Sequence, residues 1–374
     1  LVGIFLFGIQ TYSLSKLVVY LIRILIFSID NTLLDQEIFL TFLLGLNIID
    51  WISILLVIVF QTMLFSIGIQ YNKKLINYSA IIVYAGMIIF FLTVFLSDVK
   101  TTTQAFSNIL NFENFLKQNN ILPLITVAGT IFAYFSIVIV SFGDFTRYVN
   151  NERDLTKGNL SLILNLIIFS FFSIAIVVGS DVFLNQKFQD LDRIFTNPTD
   201  IIGKFDNLQI TIVVLFFIII ASASTNLVAN YIPSQYSLIN FLPNKLNLKS
   251  ASYTISFLGL IVGIFWLTVL SQIGILSFVD TFSCFFGPLF GVIIADYYLI
   301  KNQTLSNKDL YSIENQSAYY YSKGWHIKGT YSIILGFIFS ASTIWNTNLM
   351  FLQSYAWIIG AFISWLTYYL LAKK

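Results

Sequence analysis

The sequence predicts an all-α polytopic membrane protein of about ten transmembrane helices, and three observations carry that prediction. Hydrophobic residues make up 57% of the chain and charged residues only 10%, where a soluble domain carries roughly 25% charge. The mean hydropathy is +0.83. Apolar runs of about 20 residues, the length at which a helix crosses the hydrocarbon core, recur from one end to the other. A single transmembrane domain therefore accounts for all 374 residues. The net charge of +2 gives no basis for a nucleic-acid partner, and the lone Cys284 excludes an internal disulfide or a cysteine-rich metal site. His326, the only histidine, falls in a polar loop and is read as solvated.

Taken in order, the expected membrane segments are 1–27, 50–70, 75–97, 123–142, 160–182, 208–230, 253–271, 274–299, 329–346 and 351–371. Their connections alternate in charge. One set comprises the 71–74 turn with Lys73 and Lys74, the loops 143–159, 231–252 and 300–328, and the tail with Lys373 and Lys374. It holds thirteen basic residues, against five (Lys100, Lys117, Lys187, Arg193, Lys204) in the opposite set. The excess of positive charge places the first set, and the C-terminus, in the cytoplasm of a cell (inner) membrane. Aromatic clusters such as "YYYSKGW" suit the interface belt. The opening "LVGIFLFGIQTYSLSK" has no methionine, basic n-region or small-residue cleavage site. It reads as a chain entered within a helix, a fragment, rather than as a signal peptide.

Polar residues inside hydrocarbon are costly unless they face a cavity or a partner helix. Gln10 stands in "LFGIQTYS". Lys16 and Arg23, seven apart, share a helix face and are read as snorkelling toward an interface. The run "ASASTNLVAN" (221–230) carries a hydroxyl row and two asparagines. At 100° per residue Ala221, Ser224 and Thr225 share one face, and Asn226 with Asn230 another. The oxygens suit a hard cation such as sodium, and an asparagine amide complements a cyclic amide edge; equally, hydroxyls and small residues are common where membrane helices touch. Ala128-Gly129-Thr130 and Gly287-Pro288…Gly291 are expected to interrupt their helices, freeing backbone groups as transporters do. Asp280 and Asp296 read as loop-end or packing residues. No phosphate loop, paired carboxylates, nucleophile elbow or metal-ligand spacing appears in the sequence, so an enzyme has no chemistry to stand on.

Three strings together resemble the nucleobase:cation symporter-1 family, which includes purine, cytosine, allantoin, hydantoin and thiamine permeases. They are "FGIQTY" (7–12), "GDFTRY" (143–148) and "GPLFGVIIADYYLI" (287–300), the last followed by "LSNKDLY" (305–311), with "STNLVAN" between the second and third. The resemblance implies an inverted five-helix-repeat, LeuT-like transporter fold. Because "FGIQTY" resembles that family's third helix, it also implies a chain lacking the first two. In this reading 1–97 is the remnant of the first repeat, 123–300 the second repeat and 328–372 two peripheral helices, all in one transmembrane domain.

The family's functional positions carry over one at a time. Gln10 matches a substrate-binding glutamine, and Leu6 stands where the family has a stacking tryptophan. Phe135 stands at a second stacking tryptophan, and the glycine before it is Tyr134 here. Asn230 matches a substrate-binding asparagine; Ala221, Ser224 and Thr225 match sodium ligands, in a site whose other half comes from the family's first helix. Without that helix the chain alone is expected not to transport. Asp144 and Arg147 are read as a structural or gating pair. The resemblance implies import of a small nitrogen heterocycle (nucleobase, hydantoin or allantoin type) by alternating access. It also implies sodium as the coupling ion, no other cofactor, and a monomer in the lipid bilayer as sufficient. A proton-coupled carrier of another small solute such as an amino acid, or a non-transporting receptor, are the other classes compatible with these residues.

Overall fold

A computed structural model describes residues 2–96, 98–109, 111, 118–188, 198–204, 207–266, 275–310, 312 and 314–373. Lys117, Arg193, Tyr311, Lys374 and the expected helix ends at 267–271 and 274 lie outside the described residues. Among the described residues, ten helices are long and apolar enough to cross a membrane. Each overlaps one of the ten segments expected from hydropathy. We number them α1 (Val2–Ile29), α2 (Ile48–Phe65), α3 (Ile69–Phe95), α4 (Gln118–Val140), α5 (Glu152–Phe188), α6 (Leu208–Phe241), α7 (Leu248–Phe265), α8 (Ile275–Ile294), α9 (Ile327–Trp345) and α10 (Ala356–Ala372). The only β features described are two isolated bridges, Leu43 to Leu46 and Ser322 to Trp325.

Asparagines start several of these helices. Asn47, Asn207 and Asn247 accept from the backbone N–H three residues on, and Asp50 and Ser250 complete capping boxes at α2 and α7. The turn from α2 to α3 is shorter than expected. It closes at Gly68, whose φ of +138° suits glycine, and Asn72 donates back to the Phe65 carbonyl at 3.1 Å. Lys73 and Lys74 consequently lie within α3 rather than in a turn. α6 likewise runs eleven residues beyond the expected end at 230, which turns Ser234 and Gln235 from loop residues into buried helical ones.

α6 changes register at Leu227–Tyr231, a π turn in which the Ile232 N–H reaches the Leu227 carbonyl. Pro233 supplies the cause: it has no N–H to give to residue 229, and its ring crowds that carbonyl, so the preceding turn widens. α8 ends in a second π turn, Ala295–Ile300, closed by the Lys301 N–H on the Asp296 carbonyl.

The chain divides into two compact units. The first (1–112 and 146–272) contains α1, α2, α3, α5, α6 and α7. Within it α1 packs against α2, α6 and α7. Its crossing with α7 is close because both sides are glycine: a Cβ on Gly8 would sit 2.6 Å from the Gly259 carbonyl, and one on Gly263 3.1 Å from the Gly8 carbonyl. Phe7, Phe65 and Tyr231 pack beside this crossing, with the Tyr231 ring tilted to Phe7 at 5.6 Å and edge-on to Phe65 at 5.1 Å, centroid to centroid.

The second unit (113–145 and 273–374) contains α4, α8, α9 and α10. Here the glycines expected to break helices pack them instead. α8 is continuous through Gly287-Pro288 and Gly291, whose missing side chains admit the Trp357 and Ala361 carbonyls of α10. Gly129 lies inside an unbroken α4 against the Ser354 carbonyl. Close approach, rather than a helix break, is what these small residues supply.

Candidate functional site

Gln10 of α1 and Asn230 of the α6 π turn meet in the first unit: Asn230 Nδ2 donates to Gln10 Oε1 at 2.7 Å. The pair, 220 residues apart in sequence, is the one the sequence singled out for amide recognition. It is the outer end of a longer polar ladder. Asn230 Nδ2 also donates to Asn226 Oδ1 at 3.0 Å. Asn226 Nδ2 donates to Thr11 Oγ1 at 3.1 Å and to the Phe7 carbonyl at 3.3 Å. Thr11 donates to Gln61 Oε1 of α2 at 2.9 Å. Gln10 Nε2 reaches the Ser222 carbonyl at 3.4 Å. Asn226 and Thr11 are fully buried, Gln61 and Asn230 nearly so, and Gln10 is half-buried.

Sequence reasoning had set Asn226 beside Asn230 without giving it a role, and it missed Thr11 and Gln61. Gln61 had a signal: it is an amide inside a segment of mean hydropathy 2.2. A register relation between α1, α2 and α6 was needed to connect it to Thr11.

The expected ion ligands also come together. Ser224 Oγ and Thr225 Oγ1 both donate to the Ala221 carbonyl, at 3.1 and 2.8 Å. Three oxygens thus gather on the face of α6 opposite the buried asparagines, with Thr225 exposed and Ser224 and Ala221 half-buried. Back-bonds of this kind are ordinary for helical Ser and Thr; here they place an all-oxygen set suited to a hard cation. Leu6, half-buried, stands one turn before Gln10 on α1. Phe135 is carried by α4 of the second unit, 39% exposed and edge-on to Tyr134 at 5.4 Å.

Two sequence expectations are corrected. Lys16 does not snorkel: its Nζ pairs with Asp50 Oδ1 at 2.8 Å, while Asp50 Oδ2 accepts from the Asn47 N–H in the α2 capping box. The attraction lies between elements, so no spacing within α1 could reveal it. Arg23, nearer the end of α1, is exposed as expected. His326 is not solvated. Its ring lies 4.0 Å from that of Tyr321, and its Nε2 is 3.2 Å from the Tyr368 hydroxyl, which donates to Asp296 Oδ1 at 2.6 Å. Asp296 in turn pairs with Lys301 at 2.6 Å. Burial holds the imidazole pKa below the usual 6.5; the Asp296 carboxylate opposes this, and Lys301 and Lys328 add to it. Asp280 packs as expected, accepting from Gln353 Nε2 at 2.8 Å. Arg147 lies over the Tyr236 ring, 4.7 Å from its centroid.

Ten apolar helices, one of them re-registered at a buried amide pair, define a multi-pass membrane protein. The chain belongs to the family of permeases for cytosine/purines, uracil, thiamine and allantoin, whose model matches residues 1–360. It is 29% identical over 244 residues to the allantoin permease of Bacillus subtilis (strain 168), covering 65% of this chain and 48% of that one. Identity to the purine-uracil permease NCS1 of Arabidopsis thaliana is 24% over 255 residues, 65% of this chain and 41% of the relative. The hydantoin permease of Microbacterium maritypicum is 27% identical over 38% of this chain and 28% of its own. The chain spans about half the length of the first two relatives. Among solved structures it shares the fold of Mhp1, a nucleobase-cation-symport-1 family transporter, in a closed conformation with bromovinylhydantoin bound. The TM-score is 0.67 at 18% identity, over 99% of this chain and 73% of that one. The expected LeuT-like transporter fold is thus the observed one.

Proposed function

We propose that the protein imports a small nitrogen heterocycle of the nucleobase, hydantoin or allantoin type across the cell membrane by alternating access, driven by sodium. The observation that carries this reading is the Gln10–Asn230 pair, two amides joined at 2.7 Å within a buried polar ladder of a permease-family fold. Buried amides in a membrane core are expensive and mark a ligand path. Their free groups, one acceptor on Asn230 and one N–H on Gln10, match a ring that presents amide functions. The names of its relatives, an allantoin permease and a purine-uracil permease, point to the same class of ligand.

The family resemblance alone assigns Phe135 a stacking role toward such a ring, worth about 1–3 kcal/mol by analogy with base–aromatic stacking. Leu6, one turn from Gln10, adds an apolar contact where a second aromatic would otherwise stack, which favours a smaller or less aromatic ring. The Ala221 carbonyl with the Ser224 and Thr225 hydroxyls forms the α6 side of the sodium position. Sodium travels as co-transported cargo, and the excess of basic residues in one set of loops supports a cytoplasmic C-terminus.

The test is substrate-dependent sodium activation in cells expressing the encoding gene. Thr225→Ala should raise the sodium concentration needed for half-maximal uptake of labelled hydantoin, allantoin or uracil. Uptake that is independent of sodium and indifferent to Thr225→Ala contradicts the ion assignment.

A further inference from the structure

We infer that Asn226, Thr11 and Gln61 are positioning residues that fix the hydrogen-bond polarity of the Gln10–Asn230 pair. Because of them the pair offers one acceptor, Asn230 Oδ1, beside one donor, the Gln10 amide nitrogen. The inference rests on the substrate role proposed above for that pair.

An asparagine or glutamine amide can turn over, exchanging its oxygen for its nitrogen, and each turnover swaps an acceptor for two donors. A pair left free to turn would accept a ligand N–H or a ligand C=O with little preference. Something in the fold must break this symmetry, and here it is a main-chain carbonyl. The Phe7 carbonyl can only accept, so the nitrogen of Asn226, 3.3 Å away, must face it. The second N–H of Asn226 goes to Thr11 Oγ1 at 3.1 Å. Thr11 is free to accept there because its single proton is committed to Gln61 Oε1 at 2.9 Å.

The rest follows by exhaustion of donors. With its nitrogen toward α1, Asn226 turns its oxygen to Asn230 and accepts from Nδ2 at 3.0 Å. The other N–H of Asn230 goes to Gln10 Oε1 at 2.7 Å. Both donors of Asn230 are then spent, and its oxygen remains for a ligand N–H. Gln10 has its oxygen engaged and one N–H on the Ser222 carbonyl at 3.4 Å, which leaves its second N–H for a ligand carbonyl. A ring edge that carries N–H beside C=O fits this arrangement, and one whose nitrogen is alkylated does not.

The arrangement has a visible cost. Gln61 Nε2 is buried without a hydrogen-bond partner among the described residues. A leucine or methionine would fill the same space without that cost, so packing alone gives no reason for an amide at this place. Holding the Thr11 proton gives one. Asn226 is fully buried and Gln61 nearly so, so neither has surface to offer a ligand; they act through Asn230.

The experiment measures binding to the purified encoded protein of hydantoin, uracil and allantoin, each against its N-methylated analogue, with thermal unfolding of the same samples. Wild-type protein should prefer the unmethylated member of at least one pair by about tenfold or more, the scale of one well-made hydrogen bond. Asn226→Leu and Thr11→Val should bring that preference down to about threefold or less, and Thr11→Ser should retain it, since a hydroxyl is all the relay needs. Gln61→Met should reduce the preference while leaving the unfolding temperature unchanged or raised. A merely structural role predicts the opposite pairing, lower unfolding temperature with preference unchanged. Unchanged preference in Asn226→Leu and Thr11→Val, or equal loss of both members of a pair, overturns the inference and leaves the proposed function standing. Wild-type protein that binds none of the three heterocycles overturns the proposed function, and this inference with it.

Discussion

Asn230 holds its place through two hydrogen bonds of its own amide nitrogen, one to Gln10 and one to Asn226. Truncating it therefore removes the proposed ligand acceptor and strands the buried Asn226 oxygen. Asn230→Ala should weaken heterocycle binding by about 1–3 kcal/mol, or about 5- to 150-fold in Kd, measurable by calorimetric titration. A change of less than about twofold would show that the ligand does not use this amide. At this scale the sequence was legible where chemistry is local. Gln10 and Asn230 stand out because polar side chains are conspicuous in hydrocarbon, and helical spacing sets Ala221, Ser224 and Thr225 on one face; the roles proposed for them come from the family resemblance. Lys16 was misread because its partner, Asp50, stands 34 residues away on another helix and doubles as a capping residue. Thr11 and Gln61 went unnoticed for the same reason.

The decisive element is α6, where Pro233 imposes a π turn upon the asparagine that faces Gln10. A widened turn shifts every later side chain by the equivalent of one residue, about 100° around the axis. Pro233→Ala restores the missing N–H and permits regular α-helix. It should weaken ligand binding by about tenfold or more, the scale of one hydrogen bond to the ligand lost when Asn230 is displaced, and leave the helical circular-dichroism signal intact. Unaltered binding would mean that the register of α6 does not set the site. The glycines make the reverse point about legibility. Gly129, Gly287 and Gly291 are ambiguous in sequence, because the same residue that permits a broken helix also permits close approach, and only the facing carbonyls of Ser354, Trp357 and Ala361 decide.

A second element-level expectation concerns the start of α9. His326 is the only histidine, so its NMR titration is free of overlap. Its folded pKa is depressed by burial. The folded state therefore binds fewer protons than the unfolded chain just below pH 6.5, and the stability this corner contributes is present above that pH and lost as pH falls through the folded pKa. The titration should have its midpoint below 6.5, and a midpoint above it would show that Asp296 outweighs burial.

At the scale of the molecule, hydropathy alone located the ten long apolar helices among the described residues, because bilayer thickness sets a minimum length of apolar run for each of them. Helix ends were less legible: α6 runs past its expected end because Ser234 and Gln235 find buried places within the first unit, the latter donating to Ser252 at 2.7 Å. The match over residues 1–360 places these helices in the permease family, and the likeness to Mhp1 gives them their fold. The proposed function assigns the ion and the ligand to opposite faces of the same helix, α6, and couples the movement of one to the other. The most direct test is uptake of labelled hydantoin, allantoin or uracil by cells or vesicles containing the encoded protein, with and without an inward sodium gradient. The account predicts accumulation of at least one of these heterocycles that rises with the gradient and collapses when sodium is equal on both sides. Absence of uptake for all three, or accumulation untouched by the gradient, would contradict it.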